Sequence, residues 1–369
     1  MIAAIRDRID AVLGRGAHST AVPVMDGPLQ PNHALDRAEI LFDLPGLDNL
    51  VALGGGEIAF TAGPVLYRAT PGGAPVEIAR FEAEVSCLAA DGQGGFAVGL
   101  DGIGLVFHGG PQDGRRIDRL GDRPLICPTA LCPTQAGTLL LACGSDRFAA
   151  SDWKRDLMAL GRTGSVWSVD PGTGAATRLA GGLAYPCGLA PMPGGGLLVS
   201  EAWRHRLLRI DATGGGEGDA VLPNLPGYPA RLLPAREGGY WLAVFAPRNQ
   251  LVEFLLRERR FREDMTARVD PAYWIAPALS SGDSFRKPLQ GGAVKQMGIL
   301  KPWAPGWSYG LVVRLDAEAQ PVASWHSRTD GTHHGVTSVC EHDTGLIVAA
   351  KGPGLALRLD RAALAQGGM

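Results

Sequence analysis

The sequence predicts an all-β fold, a six-bladed β-propeller, from three observations. Its apolar runs are short and bounded by Gly and Pro, a pattern of strands and tight turns rather than helices. Its 52 glycines and 27 prolines are spread along the chain instead of gathered in one tail. One unit also recurs; its clearest copy is YPCGLAPMPGGGLLVSEAWRHRLLRID (185–211), which reads as a corner, a strand, a Pro-Gly-Gly-Gly turn and two further strands.

In chain order, residues 1–30 read as an N-terminal helix and arm. Ile2, Ile5, Ile9, Val12 and Leu13 share one helical face, and Arg6, Asp7, Arg8 and Asp10 interrupt any apolar core, so the segment is neither a signal peptide nor a membrane span. Residues 31–369 read as a single propeller domain. Its strand AEILFDL (38–44) is placed to close the ring as the outer strand of the last blade, since an open blade edge invites aggregation.

Six units follow, anchored at Leu50, Leu88, Leu131, Leu189, Leu232 and Val339. The first five anchors recur roughly every 40 to 60 residues, the length of a four-stranded blade with its loops. The third unit, CPTALCPTQAGTLLLACGSDRF, is completed later by GSVWSVD from Gly164. The interval between the fifth and sixth anchors is too long for one blade. A partly helical, lid-like insertion (250–310) is therefore expected between blades 5 and 6, opening with the amphipathic QLVEFLLRERRFR. Tyr273, Trp274, Trp303, Trp307 and Tyr309 collect in it, either capping one end of the propeller or overhanging its mouth to shape an apolar pocket.

Lys+Arg 35 against Asp+Glu 37 gives a formal charge of -2, which offers no global field for nucleic acid or an anionic membrane. The six cysteines form no CxxC pair and have no metal-ligand spacing, so they read as free thiols of a cytoplasmic protein. No Gly-rich phosphate loop, nucleophile elbow or zinc motif is present. The expected partner is a small molecule, and the sequence does not speak to oligomeric state.

Four stretches, GRTGSVWSVDPGTG (161–174), LAYPCGLAPMPGGGLLVSEAWRHRLLRI (183–210), LPNLPGYPARL (222–232) and CEHDTGLIVAA (340–350), carry a resemblance. They are similar to the strictosidine synthase-like family of six-bladed propellers, within the superfamily that includes paraoxonases and gluconolactonase/SMP-30-like lactonases. The resemblance implies chemistry at the mouth of a central tunnel, and in metal-dependent relatives a calcium held by oxygen ligands. Carried over, those ligand positions fall near Asp48, with Asn49 beside it, and on Thr129, Cys187, Ala230 and Arg231. A thiol and a cation do not suit calcium, so no metal or other cofactor is expected. The glutamate base of the amine–aldehyde condensing relatives falls on Thr337, which cannot replace a carboxylate.

The expected site is the ring two positions before each anchor: Asp48, Ser86, Thr129, Cys187, Ala230 and Thr337, with Arg231 alongside. The favoured function is metal-independent hydrolysis of a lactone-, ester- or amide-like bond. Cys187 is the expected nucleophile, Asp48 the base, and His333 or His334 the proton carrier. Arg231 is expected to hold a substrate carboxylate or oxyanion, with Asn49, Ser86, Thr129, Thr337 and Trp303 as further binding residues. The alternatives are amine–aldehyde condensation with a rearranged base, and a non-catalytic ligand-binding propeller with a decayed calcium site. Glu201, Trp203, His205, Asp101 and the cluster RERRFRED (257–264) are read as structural or solvated.

Overall fold

The computed structural model describes residues 22–211, 213–214, 218–281 and 307–365, and the backbone of two short strands, Lys295–Gln296 and Ile299–Leu300. Trp303 and the expected N-terminal helix lie outside the described residues. Six four-stranded antiparallel sheets form the blades. Their inner strands are Leu47–Ala52, Val85–Ala90, Pro128–Pro133, Pro186–Pro191, Gly227–Pro234 and Val336–His342, and each packs beside the next until the last meets the first.

Burial follows position within the blade. Second strands such as Ile58–Ala62, Phe96–Leu100 and Leu197–Glu201 are buried at every residue, which explains their uninterrupted apolar runs. Outer strands such as Val76–Arg80 have no buried residue. The core lies largely in layers between blades. Between blades 6 and 1, for example, Leu47, Ile58 and Phe60 meet Ile347 and Ala349. Strand Glu39–Asp43 pairs antiparallel with Leu355–Asp360, so the N-terminal strand completes the last blade as expected.

The long insertion differs in position from the expectation. It leaves from inside blade 5, between Tyr240–Pro247 and Gly310–Leu315, rather than between blades 5 and 6. The anchor spacing located the extra residues but not the strand boundary they interrupt. Its helical start is also broken at Glu258 (φ -79, ψ 79), giving Gln250–Arg257 and Arg259–Arg268.

The first of these helices is fastened to the propeller by a buried ionic cluster. Glu253 accepts from Arg248 Nε at 3.0 Å and lies 3.2 Å from His205 Nε2, while Arg248 Nη1 donates to Asn224 Oδ1 at 2.6 Å. Further on, the Leu279 carbonyl passes so close to Gly335 and Gly352 that a Cβ at either would lie 2.7 or 2.2 Å from it. Glycine at these two positions lets the insertion return across blade 6.

Candidate functional site

Each inner strand carries a register shift where it enters the tunnel. In blades 2, 3, 4 and 6 the shift skips one residue, respectively Ser86, Thr129, Cys187 and Thr337. In blade 5 it skips Ala230 and Arg231, and in blade 1 it follows Asp48. A bulged residue leaves the ladder and its side chain is re-aimed. Five of the six ring positions are therefore bulged residues and Asp48 borders the sixth bulge, and Asp48, Ser86, Thr129, Cys187, Ala230, Arg231 and Thr337 all line one cavity of about 320 Å³.

Its floor is an ionic cluster on the tunnel axis. Asp48 Oδ1 accepts from Arg231 Nη1 at 2.8 Å, from Thr337 Oγ1 at 2.7 Å and from the Asn49 backbone N–H at 2.7 Å. Its Oδ2 accepts from Lys351 Nζ at 2.9 Å. Arg231 donates further to the Thr337 carbonyl at 3.2 Å and the Ser86 carbonyl at 2.6 Å. Burial alone would raise the Asp48 pKa, but the charges of Arg231 and Lys351 outweigh it and hold the carboxyl well below the usual carboxylate range. Asp48 is thus a fixed anion and a weak base.

One wall is aromatic. Tyr185 stacks on Trp203 at 4.4 Å between ring centroids, and Trp153 meets Phe245 edge-on at 5.5 Å; all four line the cavity. Tyr185 takes a left-handed backbone conformation (φ 59) at the corner before blade 4, a strained arrangement for a bulky residue that presents its ring to Trp203. Trp203 is held by donation from Nε1 to Asp156 Oδ1 at 2.7 Å. Opposite chemistry comes from Glu84 and Asp101 in the same lining. Asp101 accepts from the backbone N–H groups of Ala150 and Ser151, which fixes the segment that carries Trp153.

Several expected participants lie elsewhere. His333 and His334 are buried outside the cavity lining. His333 Nδ1 donates to the Leu35 carbonyl at 2.8 Å, and His334 is held between Ser308 Oγ and the Arg328 carbonyl, each at 2.8 Å. Gly335 (φ 70) turns the chain between them and the inner strand, so nearness in sequence did not bring them to the mouth. Asn49 is also buried away from the cavity, donating to Thr61 Oγ1 at 2.7 Å and the Val85 carbonyl at 3.0 Å. Cys187 is in the ring, but its thiol donates to the Pro229 carbonyl at 3.0 Å, and burial pushes its pKa up to about 11 against the lowering by Ser200 and Arg231. A thiol in that state is a poor nucleophile at neutral pH. All six cysteines are free.

The aromatic residues of the insertion, read as either capping one end of the propeller or overhanging its mouth, stay outside the cavity lining wherever they are described. Trp274, Trp307 and Tyr309 are buried and absent from the lining; Trp274 Nε1 donates to the Val269 carbonyl at 2.8 Å, and Tyr309 Oη lies 3.0 Å from His326 Nδ1. Leu279 is the residue of the described insertion that lines the cavity. Sequence reasoning missed Lys351, Trp153 and the part Trp203 plays in the wall. Lys351 directly follows the apolar second strand Gly345–Ala350, whose end reaches the same face as the bulges. A lysine at the end of a fully buried strand was the available signal.

On the far side of Arg231 lies a second cavity of about 310 Å³, walled by the anchors Leu50, Leu88, Leu131, Leu189, Leu232 and Val339. Arg231 lines both cavities and stands between them.

A calcium ion does not suit this floor. It would find one carboxylate already shared by two cations, and a thiol and a methyl where the ring needs oxygens. Among the described residues, no group of three or more His, Cys, Asp or Glu side chains is placed to hold a metal.

Fold and site together define a six-bladed β-propeller with a ligand-sized cavity at one tunnel mouth. No protein-family model matches the chain. Adipocyte plasma membrane-associated protein of Danio rerio is 27% identical over 303 residues, covering 70% of this chain and 71% of that protein. The Rattus norvegicus protein of the same name is 25% identical over 321 residues, covering 72% and 80%. Among solved structures, a gluconolactonase from Xanthomonas campestris superposes with a TM-score of 0.57 at 15% identity, over 92% of this chain and 97% of that one. Regucalcin, a calcium-binding protein from Agrobacterium tumefaciens, gives 0.52 at 14%, over 87% and 92%. At such identities the structural likeness shows the shared fold. Among the described residues no helix is long and apolar enough to cross a membrane.

Proposed function

We propose that the cavity binds a small organic molecule and hydrolyses a lactone-, ester- or amide-like bond in it without a metal, its positive charge coming from the protein's own side chains. The observation that carries this reading is the floor, where Lys351 and Arg231 converge on Asp48. Acyl-bond hydrolysis needs fixed positive charge where the oxyanion develops. Lys351 Nζ faces the cavity with its side chain 33% exposed, so an incoming carbonyl oxygen can reach it. Arg231 is held by Asp48, Ser86 and Thr337 and contributes its charge from a fixed position rather than by grasping the substrate.

Water is the nucleophile in this reading, because the Cys187 thiol is protonated. Glu84 is the lining carboxylate with no ion pair or side-chain hydrogen bond among the described residues, and it takes the proton of the attacking water. The oxyanion faces Lys351 and then collapses. The acyl C–O bond breaks, and the departing alkoxide recovers the proton from Glu84, leaving acid and alcohol. The Trp153, Tyr185, Trp203 and Phe245 wall packs the apolar part of the substrate.

A lactone and ester panel assayed with and without chelator tests this. Turnover should resist chelation, and Lys351→Met should lower kcat/KM by roughly 100-fold or more. Chelator-sensitive turnover, or an unaffected Lys351→Met, would overturn the assignment. Two observations favour a second reading, ligand binding without turnover: burial holds the Cys187 thiol protonated, and both histidines lie outside the cavity lining. In that case the panel shows no turnover, and Lys351→Met changes affinity alone.

A further inference from the structure

We infer that the tunnel axis carries a cation site which the chain fills with its own Arg231 side chain, and that removing this side chain opens the site to an external cation. This goes beyond the proposed reaction. It concerns what neutralises the floor and holds whether or not a bond is broken there.

Three acceptors surround the guanidinium: Asp48 Oδ1, the Ser86 carbonyl and the Thr337 carbonyl, at 2.8, 2.6 and 3.2 Å. They come from blades 1, 2 and 6, which are neighbours around the ring, and Arg231 reaches them from blade 5. The two carbonyls are available because Ser86 and Thr337 are the residues their bulges drop from the ladder. A carboxylate with two main-chain carbonyls is a hard oxygen set, the kind that hydrated or partly hydrated divalent cations accept. Left without a cation, a buried carboxylate and two buried carbonyls are costly. The planar guanidinium answers all three through fixed N–H directions, which a lysine ammonium on a single point cannot reproduce. Arg231 owes its position to a bulge as well: the register of blade 5 shifts between Pro229 and Leu232, so a residue between two tunnel-lining neighbours also points into the tunnel.

Lys351 is the second cation on the same carboxylate, bound at Oδ2. An external divalent ion therefore competes with it, and its removal should sharpen the effect. The experiment is thermal unfolding of the full chain, wild type against Arg231→Ala and Arg231→Ala/Lys351→Met. Each is titrated with calcium chloride, and separately with low millimolar guanidinium chloride, against sodium chloride of matched ionic strength. Wild type should be indifferent to calcium. Arg231→Ala should unfold at a lower temperature and recover it saturably, by about 2 °C or more, with calcium or guanidinium. The double variant should respond to calcium at lower concentration. If Arg231→Ala does not fold, Arg231→Gln serves in its place, and Arg231→Lys should stay calcium-indifferent because it keeps a cation. Equal responses of wild type and variant, or no response of any variant above the sodium control, would overturn the inference.

Discussion

Among the buried carboxylates of the described residues, Asp48 and Glu253 each lie between two nitrogen groups, and they serve different ends. Asp48 is shared by Arg231 and Lys351 at the cavity floor; Glu253 is shared by Arg248 and His205 where the insertion meets blades 4 and 5. The chemistry is nearly the same, but access differs. The Arg231 and Lys351 side chains are 22% and 33% exposed, so solvent and ligand reach the floor, whereas Arg248 is 2% exposed and His205 7%. The floor cluster can therefore meet a substrate, and the sealed cluster can only hold a helix in place. An ionic triad becomes a candidate site through what can reach it, not through its composition.

The comparison is most sharply broken by removing one partner from each cluster. Arg248→Met leaves Glu253 buried beside a neutral imidazole and should cost about 3–5 kcal/mol in urea unfolding. Asp48→Asn leaves Arg231 and Lys351 facing each other with water at hand, and should cost less, about 1–3 kcal/mol. Equal losses would mean that exposure does not separate the clusters.

Acid sharpens it further. Burial lowers the His205 pKa below its ordinary 6.5, so below that pH the unfolded chain takes up a proton that the folded chain refuses, and stability falls. For Glu253, burial would raise the pKa, but His205 and Arg248 bring it down to about 2. Its contribution is complete above the ordinary 4.5 and is lost as pH falls from there toward 2. Unfolding measured from pH 7 to 3 should therefore show loss in two stages, and His205→Phe should shrink the upper one without abolishing it, since burial also lowers His326 and His334. Loss confined to below pH 4.5 in wild type would contradict this.

The smallest effect is expected at Cys187. With the thiol pushed up to about 11, alkylation by iodoacetamide at pH 8 should run roughly two orders of magnitude slower than for an ordinary free thiol. Cys187→Ser should leave stability within about 1 kcal/mol. Rapid alkylation would restore it as a nucleophile.

How much of this was legible in the sequence depended on whether the information was local. The blade repeat, the closing strand Glu39–Asp43 and the ring from Asp48 to Thr337 could be read because Gly- and Pro-marked corners fix where each inner strand begins. Lys351 could not be read by that rule, since it reaches the floor from the end of a second strand. The aromatic wall was missed because Trp153, Trp203 and Phe245 come from three separate segments that only the closed ring brings together. Conversely, His333 and His334 looked close in sequence, and one glycine turn sends them into other contacts.

The partition formed by Arg231 has a kinetic meaning. With cavities of about 320 and 310 Å³ on its two sides and its guanidinium fixed between them, the axis is not a thoroughfare but two blind alcoves back to back. If the partition holds while a ligand is bound, an occupant of the aromatic-walled alcove exchanges through a single doorway, and departure of one then gates arrival of the next.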